Sequence, residues 1–296
     1  MANKYDRMEV DIDKLFDRDC FVPVFKYPDY LRRISKRYLT RFLTKFGLYA
    51  RLVDTGIIRS WFTEFELYWR HVLNGRPLYM HDFFYLLGVY RQRFQEVETP
   101  ANSSEREFID SWQKPETLYL LFGAIRRYAY DPMQLFYCEK YVRNGDSICE
   151  YGCGVAPITF SLMNYSKKRN LSFTIADIKQ INSHFAKVRL GENAEFIELR
   201  PFENSLPTER FNVVTFKEVL EHLPNPLDTI RSITESLKPN GILVFDYILG
   251  DGDGQDTIEP IEQRPDVIRF IDHYFNVIEG QLSINSSIGK TVCQLK

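Results

Sequence analysis

The chain has 296 residues, of which 44% are hydrophobic and 26% are charged, a composition typical of a folded protein with one large core or two smaller ones. Its formal net charge of −2 does not favour a general attraction to nucleic acid. No apolar run approaches the ~20 residues that span a bilayer, and the first residues lack the pattern of a signal peptide. The five cysteines form no Cys-x-x-Cys pair, so we expect reduced thiols and a cytoplasmic protein.

Apolar residues recur at helical spacing in the first half of the chain. The pattern predicts helices over residues 30–46, 57–72, 80–94, 115–128 and 133–142, with breaks at Gly75 and over residues 98–104. Trp61, Trp69 and Trp112 lie among aromatic neighbours and are expected in the core. We therefore predict a helical N-terminal domain over residues 1–130.

Beyond residue 145, short β-rich runs alternate with helical segments. Strands are predicted over residues 147–151, 172–176, 194–199, 211–216 and 241–248, with helices over residues 157–168, 180–190 and 227–237. Residues 275–280 and 290–295 predict two more strands without a helix between them, which indicates an antiparallel hairpin. The predicted fold class is α/β, with a doubly wound seven-stranded Rossmann-like sheet whose last strand is antiparallel, in a domain over residues 131–296.

A tight turn follows the first predicted strand over residues 150–154. Gly152 and Gly154 let the backbone approach a ligand without a Cβ atom in the way. Asp177 ends the second predicted strand, where a carboxylate can accept hydrogen bonds from both hydroxyls of a ribose. These features together predict a nucleotide-type cofactor site.

The residues around the turn bear on whether the cofactor is NAD. Pro157 occupies the place of the third glycine of the pyrophosphate-binding fingerprint. Glu150 would present a negative charge to the ligand, which disfavours a pyrophosphate and suits an ammonium group. These residues therefore disfavour NAD as the cofactor.

Residues 147–249 resemble the class I S-adenosylmethionine-dependent methyltransferases, specifically the branch of the ubiquinone-pathway O-methyltransferases. Glu150-x-Gly152-x-Gly154-x-Ala156 resembles the first motif, and Asp177 matches the acidic ribose contact of the second. Residues 211–226 resemble the fourth strand with the following helix, and residues 236–245 the turn before the fifth strand. The resemblance implies a methyltransferase sheet that binds S-adenosyl-L-methionine.

The resemblance also implies which residues contact the cofactor. It places the adenine near Phe202 and Glu203, after the third strand. The complete predicted set is Glu150, Tyr151, Gly152, Cys153, Gly154, Asp177, Ile178, Phe202, Glu203 and Lys217.

The segment Glu218-x-x-Glu221-His222 is the candidate catalytic site. Offsets of three and four residues would place its side chains on one helical face, at the carboxyl edge of the sheet. The run resembles the magnesium-binding motif of ubiquinone-pathway O-methyltransferases and small-RNA 2′-O-methyltransferases, and also a form found in metal-free relatives. The first alternative predicts Mg²⁺ bound by Glu218, Glu221 and His222. The second makes His222 the general base, with Glu221 as its catalytic neighbour.

Acidic residues after the fifth predicted strand have the offsets of a calcium-binding loop. The residues at these offsets are Asp251, Asp253, Gln255 and Glu262. Asp256 stands where such a loop needs glycine, and a strand rather than a helix precedes it. We interpret the segment as an acidic lid over the substrate mouth.

The predicted helix over residues 30–46 is strongly basic. Its cationic residues are Arg32, Arg33, Lys36, Arg37, Arg41 and Lys45. It is either a solvated face or a surface for an anionic partner, such as lipid headgroups, a polysaccharide carrier or RNA. Nearer the first strand, we expect Arg126, Arg127, Tyr128 and Tyr137 to close over the methionine end of the cofactor.

These observations lead to one functional hypothesis and two alternatives. The first is methyl transfer to an oxygen or nitrogen of a small molecule (a metabolite, sugar or natural product), with the helical domain building the acceptor pocket. The second is transfer to a macromolecule docked on the basic helix. The third is a non-catalytic cofactor-binding module. The sequence leaves open the acceptor, the metal requirement and the oligomeric state.

Overall fold

The computed structural model describes residues 11–17, 30–55, 57–58, 60–94, 104–127, 132–200, 202–203, 206–249 and 257–296. Within this part of the chain, helices occupy the segment before the first strand. They are α1 (Ile12–Phe16), α2 (Tyr30–Lys45), α3 (Leu48–Asp54), α4 (Ser60–His71), α5 (Met80–Phe94), α6 (Glu105–Trp112) and α7 (Leu118–Arg127). Short 3₁₀ helices at Pro115–Thr117, Pro132–Tyr137 and Glu139–Tyr141 flank α7. The prediction of an α-helix over residues 133–142 is therefore wrong in type.

Helix α6 was not predicted, although its start carries a local signal. The Ser104 hydroxyl accepts a hydrogen bond from the Glu107 amide at 3.4 Å, and the Glu107 carboxylate accepts one from the Ser104 amide at 2.9 Å. This reciprocal capping satisfies two amides that the first turn of a helix leaves without partners. The Ser-x-x-Glu spacing is visible in the sequence and would have located the helix.

Seven strands form one sheet in the order β3-β2-β1-β4-β5-β7-β6. Their bounds are β1 Ser147–Tyr151, β2 Ser172–Asp177, β3 Glu195–Glu198, β4 Phe211–Phe216, β5 Leu237–Tyr247, β6 Phe275–Glu279 and β7 Ile288–Leu295. The first five strands pair in parallel, and β7 runs antiparallel to both β5 and β6. This topology confirms the predicted fold class, including the antiparallel last strand and the terminal hairpin.

The helices that accompany the sheet agree with the predicted alternation, with two additions. The bounds are α8 Pro157–Tyr165, α9 Ile181–Leu190 and α10 Pro226–Ser236, and the two additions are α11 Glu259–Glu262 and α12 Arg264–Tyr274. Helix α12, which was not predicted, packs against α10 and leads directly into β6. Strand β5 begins at Leu237, which pairs with Phe211, rather than at the predicted residue 241.

A continuous core joins the helical segment to the sheet. Trp61, Phe65 and Trp69 are fully buried and belong to the same apolar cluster as Phe160 and Phe185 of the α/β part. Burial of side chains of this size stabilises a fold by roughly 1.5–3 kcal/mol each. The helices thus stand at a defined position beside the sheet, while the division at residue 130 stays a prediction.

Arg189 of α9 makes a polar connection across the same contact. Its Nε lies 3.6 Å from Glu64 Oε2 of α4, and its guanidinium lies 3.4 Å from the centre of the Phe160 ring. Its Nη1 donates to the carbonyl of Val155 at 3.1 Å. One buried cation therefore ties the helical segment to the turn after β1.

Among the described residues, no helix combines the length and apolarity needed to cross a bilayer.

Candidate active site

Two glycines with left-handed backbone shape the turn after β1. Gly152 has a φ of +59° and Gly154 a φ of +49°, a region that residues with a Cβ rarely occupy. A Cβ at Gly152 would also lie 2.4 Å from Cγ2 of Val219, whereas one at Gly154 would meet nothing within 4 Å. Gly152 is therefore required twice, for its backbone angle and for the close approach of the segment after β4.

The same turn opens helix α8. Ala156 has a φ of +51° and precedes Pro157, the first residue of the helix. The Glu150 carboxylate accepts hydrogen bonds from the amides of Ile158 at 3.1 Å and Thr159 at 2.7 Å. Glu150 thus caps the amino end of α8, where amides lack partners and the helix dipole favours a negative charge.

Burial perturbs the Glu150 carboxyl. The side chain is only 4% exposed, and burial raises its pKa to about 7, against the opposing effects of the hydrogen bonds from Thr159 and Ile158 and of the nearby Lys217 charge. A cation placed beside this group would favour its ionised form. The residue therefore combines a structural cap with an acid whose charge responds to a ligand.

Asp177 at the end of β2 is joined to the turn. Its carboxylate accepts hydrogen bonds from the Gly154 amide at 2.8 Å, the Ile178 amide at 2.8 Å and the Gln180 side-chain amide at 3.0 Å. Burial raises its pKa to about 6 in spite of these bonds. The two motifs identified in the sequence thus meet, and the aspartate holds the turn in its bent form.

A cavity of about 570 Å³ lies over the carboxyl edge of the sheet, next to this turn. Eight of the predicted cofactor residues line it, namely Glu150, Tyr151, Gly152, Cys153, Gly154, Asp177, Ile178 and Lys217. Leu199, the residue directly after β3, also contributes to the wall. The sequence therefore predicted most of one wall of the cavity.

The predicted adenine contacts are not brought to this cavity. Phe202 is 45% exposed, and the Glu203 carboxylate lies 3.4 Å from the Arg200 guanidinium on the surface. Gln180 and Asn182, at the start of α9, line the cavity instead and were not predicted. Their sequence signal is weak, because polar residues at the start of a helix ordinarily serve as caps.

The candidate catalytic segment is not helical where the sequence predicted a helix. Glu218 has a φ of +53°, and only a 3₁₀ turn, Leu220–His222, follows it. The Glu218 amide donates to Asp246 Oδ1 at 2.6 Å, and its carboxylate lies 3.3 Å from Nζ of Lys217. The prediction of one helical face carrying Glu218, Glu221 and His222 is wrong, because the bond to β5 bends this segment.

The bend sends the two predicted catalytic side chains in different directions. His222 lines the cavity, where it meets the Trp112 ring edge-on at 5.5 Å between ring centres. Glu221 is buried outside the cavity lining, and its negative charge opposes the lowering of the Arg264 pKa that burial causes. Of the two, only His222 is positioned to contact a ligand in the cavity.

The metal prediction is also corrected by this geometry. In the part of the chain that the structure describes, no group of three or more histidine, cysteine, aspartate or glutamate residues is arranged to hold a metal ion. Glu218 and His222 border the cavity while Glu221 does not. The predicted three-ligand Mg²⁺ site on Glu218, Glu221 and His222 is therefore not formed.

Helices α5, α6 and α7 supply the opposite wall of the cavity. Their lining residues are Phe84, Leu87, Gly88, Arg91, Phe108, Trp112, Tyr119, Leu120, Gly123, Ala124 and Arg126. Trp61 and Trp69 are core residues as predicted, but Trp112 belongs to this wall. Helical periodicity could not identify the wall, because a residue facing a cavity and a residue facing the core share the same spacing.

The residues predicted to close over the cofactor separate into distinct positions. Arg126 lines the cavity. Tyr137 instead donates from its hydroxyl to Asp246 Oδ2 at 3.2 Å and does not line the cavity. The Arg127 side chain and Tyr128 lie outside the described residues, as do Asp251, Asp253 and Gln255 of the acidic segment, whereas Glu262 ends α11.

The basic helix α2 presents a mixed surface. Arg33 donates to the carbonyl of Met163 at 3.2 Å, and Arg37 forms a buried ion pair with Glu139. Leu39 and Phe42 are exposed on the same helix. Two of its cations thus fasten α2 to the α/β part, which weakens the case for a polyanion-binding face.

The fold and the site together define a class I S-adenosylmethionine-dependent methyltransferase fold, with its seven-stranded sheet, antiparallel last strand and acidic glycine turn. The family model described as "Methyltransferase domain" matches residues 122–279, more than half of the chain. The chain belongs to this methyltransferase family.

Individual relatives are more distant. The ubiquinone biosynthesis O-methyltransferase of Histophilus somni (strain 2336) is 29% identical over 125 residues, 40% of this chain and 52% of that protein. The mitochondrial enzyme of that name from Schizosaccharomyces pombe is 32% identical over 124 residues, 40% of this chain and 43% of that protein. The chain therefore spans about half the length of the curated relatives it matches.

Among solved structures, a Burkholderia thailandensis methyltransferase is similar to this chain. It is 1,6-didemethyltoxoflavin-N1-methyltransferase with bound 1,6-didemethyltoxoflavin and S-adenosylhomocysteine. The two align with a TM-score of 0.45 and 14% identity, covering 65% of this chain and 87% of that one.

Proposed function

We propose that the chain is an S-adenosylmethionine-dependent methyltransferase that acts on an oxygen or nitrogen of a small molecule. The observation that carries the proposal is the shared cavity, lined on one side by the turn after β1 and on the other by α5, α6 and α7. Its volume of about 570 Å³ falls in the range of small-molecule sites. A cofactor and an acceptor would meet in this cavity.

The residues of the turn fit this cofactor. The buried Glu150 carboxylate would hold the ammonium group, and Asp177 would accept hydrogen bonds from the ribose hydroxyls. Gly152 and Gly154 leave the backbone open to close approach by the ligand. When bound, S-adenosylmethionine supplies an electrophilic methyl group on a sulfonium centre.

His222 is the residue we propose to take the proton from the acceptor. It lies on the cavity wall, and the Trp112 ring beside it restricts its orientation. An imidazole can remove a proton from a hydroxyl or ammonium group near neutral pH. Alignment of the acceptor by the helical wall would contribute further, since holding two reactants in place lowers a barrier by up to ~7–11 kcal/mol.

Two observations favour a small acceptor over a macromolecule. The site is a cavity whose whole volume falls in the range of small-molecule sites, and α2 uses Arg33 and Arg37 for internal contacts. The relatives named as O-methyltransferases support oxygen as the methylated atom. The preserved acidic turn argues against a non-catalytic module.

Binding of S-adenosylhomocysteine to the purified chain, measured by calorimetry, tests the cofactor assignment. Transfer of a labelled methyl group to a panel of phenols, hydroxy acids and amines then tests the activity, with RNA as the macromolecular comparison. We expect binding of one equivalent, and transfer to a small acceptor that continues in EDTA. Absence of binding would overturn the proposal, and transfer to RNA alone would overturn its acceptor class.

The role of His222 has a matched control in the chain. His222→Ala should lower the transfer rate about 10²–10⁴-fold and leave the affinity for S-adenosylhomocysteine within threefold. His273→Ala removes a histidine of α12 that lies outside the cavity lining and should leave both unchanged. Equal rates in the two variants would exclude His222 as the base.

A further inference from the structure

Resting on the proposed function, we propose that the acceptor is an aromatic molecule that carries one anionic group. In this assignment the anion is bound by a guanidinium group of the helical wall, that of Arg91 or that of Arg126, which lie on opposite sides of the level of Gly88 and Gly123. Gly88 and Gly123 make the room for the ring, so that these four residues of α5 and α7 determine specificity.

Helices α5 and α7 run antiparallel along the cavity wall. Phe94 of α5 contacts Tyr119 of α7, with 5.5 Å between ring centres. At the other end of the pair, the Arg126 guanidinium lies over the Phe84 ring at 5.1 Å. These two contacts define the register of the helix pair along its length.

That register places Gly88 and Gly123 at the same level, and both line the cavity. A Cβ built on either glycine meets no atom within 4 Å. Glycine is disfavoured in helix interiors relative to alanine, and neither position has a positive φ that would require it. The pair therefore forms a notch in the wall, open where two side chains would otherwise project.

The rest of this wall is apolar and rich in rings. Leu87, Phe108, Trp112 and Leu120 all line the cavity. Rings of this kind favour planar partners in offset or edge-on contact. A notch bordered by such side chains suits an aromatic ring better than a sugar, whose hydroxyls would need polar partners.

Charge is distributed unevenly along the cavity. Among the described residues, the sheet side of the lining carries three carboxylates, those of Glu150, Asp177 and Glu218, and the one ammonium group of Lys217, whereas the charged groups of the helical wall are the guanidinium groups of Arg91 and Arg126. Attraction between a guanidinium and an anion is stronger in a partly enclosed apolar site than in water. A carboxylate, sulfonate or phosphate on the acceptor would thus be drawn to the helical wall.

Two fluorescent probes with the same rings separate these contributions. 8-Anilinonaphthalene-1-sulfonate carries one anionic group, and N-phenyl-1-naphthylamine is its uncharged counterpart. Each is titrated into the full chain in the presence of S-adenosylhomocysteine. The variants are one double variant, Arg91→Gln together with Arg126→Gln, and two single variants, Gly88→Leu and Gly123→Leu. The controls are Arg106→Gln on the exposed side of α6 and Gly289→Leu in β7, since neither position lines the cavity.

We expect the arginine double variant to bind the sulfonate probe about tenfold more weakly or worse, and the uncharged probe within threefold of the parent chain. Each leucine variant should weaken binding of both probes by about tenfold, because the side chain fills the notch. The two controls should bind both probes like the parent chain.

Unchanged sulfonate binding in the arginine double variant, or unchanged binding of both probes in both leucine variants, would overturn the assignment. Calorimetry with S-adenosylhomocysteine on the same proteins reports whether each variant is folded. It also separates the two proposals. Loss of cofactor binding in the parent chain defeats the proposed function, whereas intact cofactor binding with probe binding insensitive to all variants defeats only the acceptor class.

Discussion

Replacing Glu150 with glutamine separates its two roles, as the cap of α8 and as the acid beside the cofactor. Glutamine keeps one oxygen that can accept a hydrogen bond from the backbone amide of Ile158 or Thr159. Its side-chain NH₂ group then faces the remaining backbone amide, which loses its acceptor. Loss of one such bond destabilises a fold by about 1–3 kcal/mol. Because glutamine also avoids the cost of a buried charge, we expect the free energy of unfolding to change by less than about 2 kcal/mol.

Cofactor affinity should change more than stability. Hydrogen bonds to charged groups are worth about 1.5–3 kcal/mol, so Glu150→Gln should weaken S-adenosylhomocysteine binding by roughly 10- to 100-fold. The pKa of Glu150 is raised to about 7 by burial, and a bound ammonium group favours the ionised form. The parent chain should therefore bind about tenfold more tightly at pH 8 than at pH 6. In the variant, only the smaller pH dependence of binding that Asp177 causes should remain.

Calorimetric titrations at pH 6, 7 and 8 measure both effects. Glu139→Gln is the matched control, because Glu139 is a buried carboxylate that accepts hydrogen bonds from Ser166 at 3.0 Å and Lys167 at 3.1 Å and does not line the cavity. It should lower stability without changing affinity. Binding by Glu150→Gln within threefold of the parent chain at pH 8, with the pH dependence retained, would refute the assigned role.

Two further predictions concern stability. Gly152→Ala should lower the free energy of unfolding by about 3 kcal/mol, because its Cβ would lie 2.4 Å from a Val219 methyl. If adding Val219→Ala to this variant does not raise its stability in urea above that of Gly152→Ala alone, this clash is ruled out. Burial also raises the pKa of three carboxyl groups, Glu64 to about 7, Glu150 to about 7 and Asp177 to about 6. A carboxyl group whose pKa is raised in the folded state stabilises the fold at low pH, and this stabilisation is lost as pH rises through the folded-state pKa. Burial lowers the pKa of His184 to about 4, so this residue destabilises the fold below pH 6.5 and offsets part of the effect. The net free energy of unfolding should fall by about 2 kcal/mol from pH 6 to pH 8, and a rise in urea titrations would contradict this assignment.

Much of the α/β part could be predicted because its signals are local. Alternation of β-rich and helical runs reflects what each short segment buries, and the glycines of the turn reflect the backbone angles that it needs. Asp177 was identifiable because it ends a strand beside that turn. These features depend on neighbours in sequence, which is why the predicted sheet and most of the cofactor wall agree with the structure.

The segment over residues 217–222 shows where local reasoning failed. Its spacing is compatible with a helix, but the Glu218 amide is bound by Asp246, 28 positions along the chain. That contact exists only after β5 has joined the sheet next to β4. It turns His222 toward the cavity and leaves Glu221 in the interior, so the division of roles between two adjacent residues could not be predicted from their types.

The sequence by itself determined the order of the strands and of helices α8, α9 and α10 along the α/β part, and the chemistry of the acidic glycine turn. Backbone angles and local burial patterns are encoded in short segments. Only the tertiary structure decided that Gly88 of α5 stands level with Gly123 of α7, and that Trp112 faces His222. Those pairs come from elements far apart in the chain. Their meeting depends on the shared core that packs the helices over the sheet.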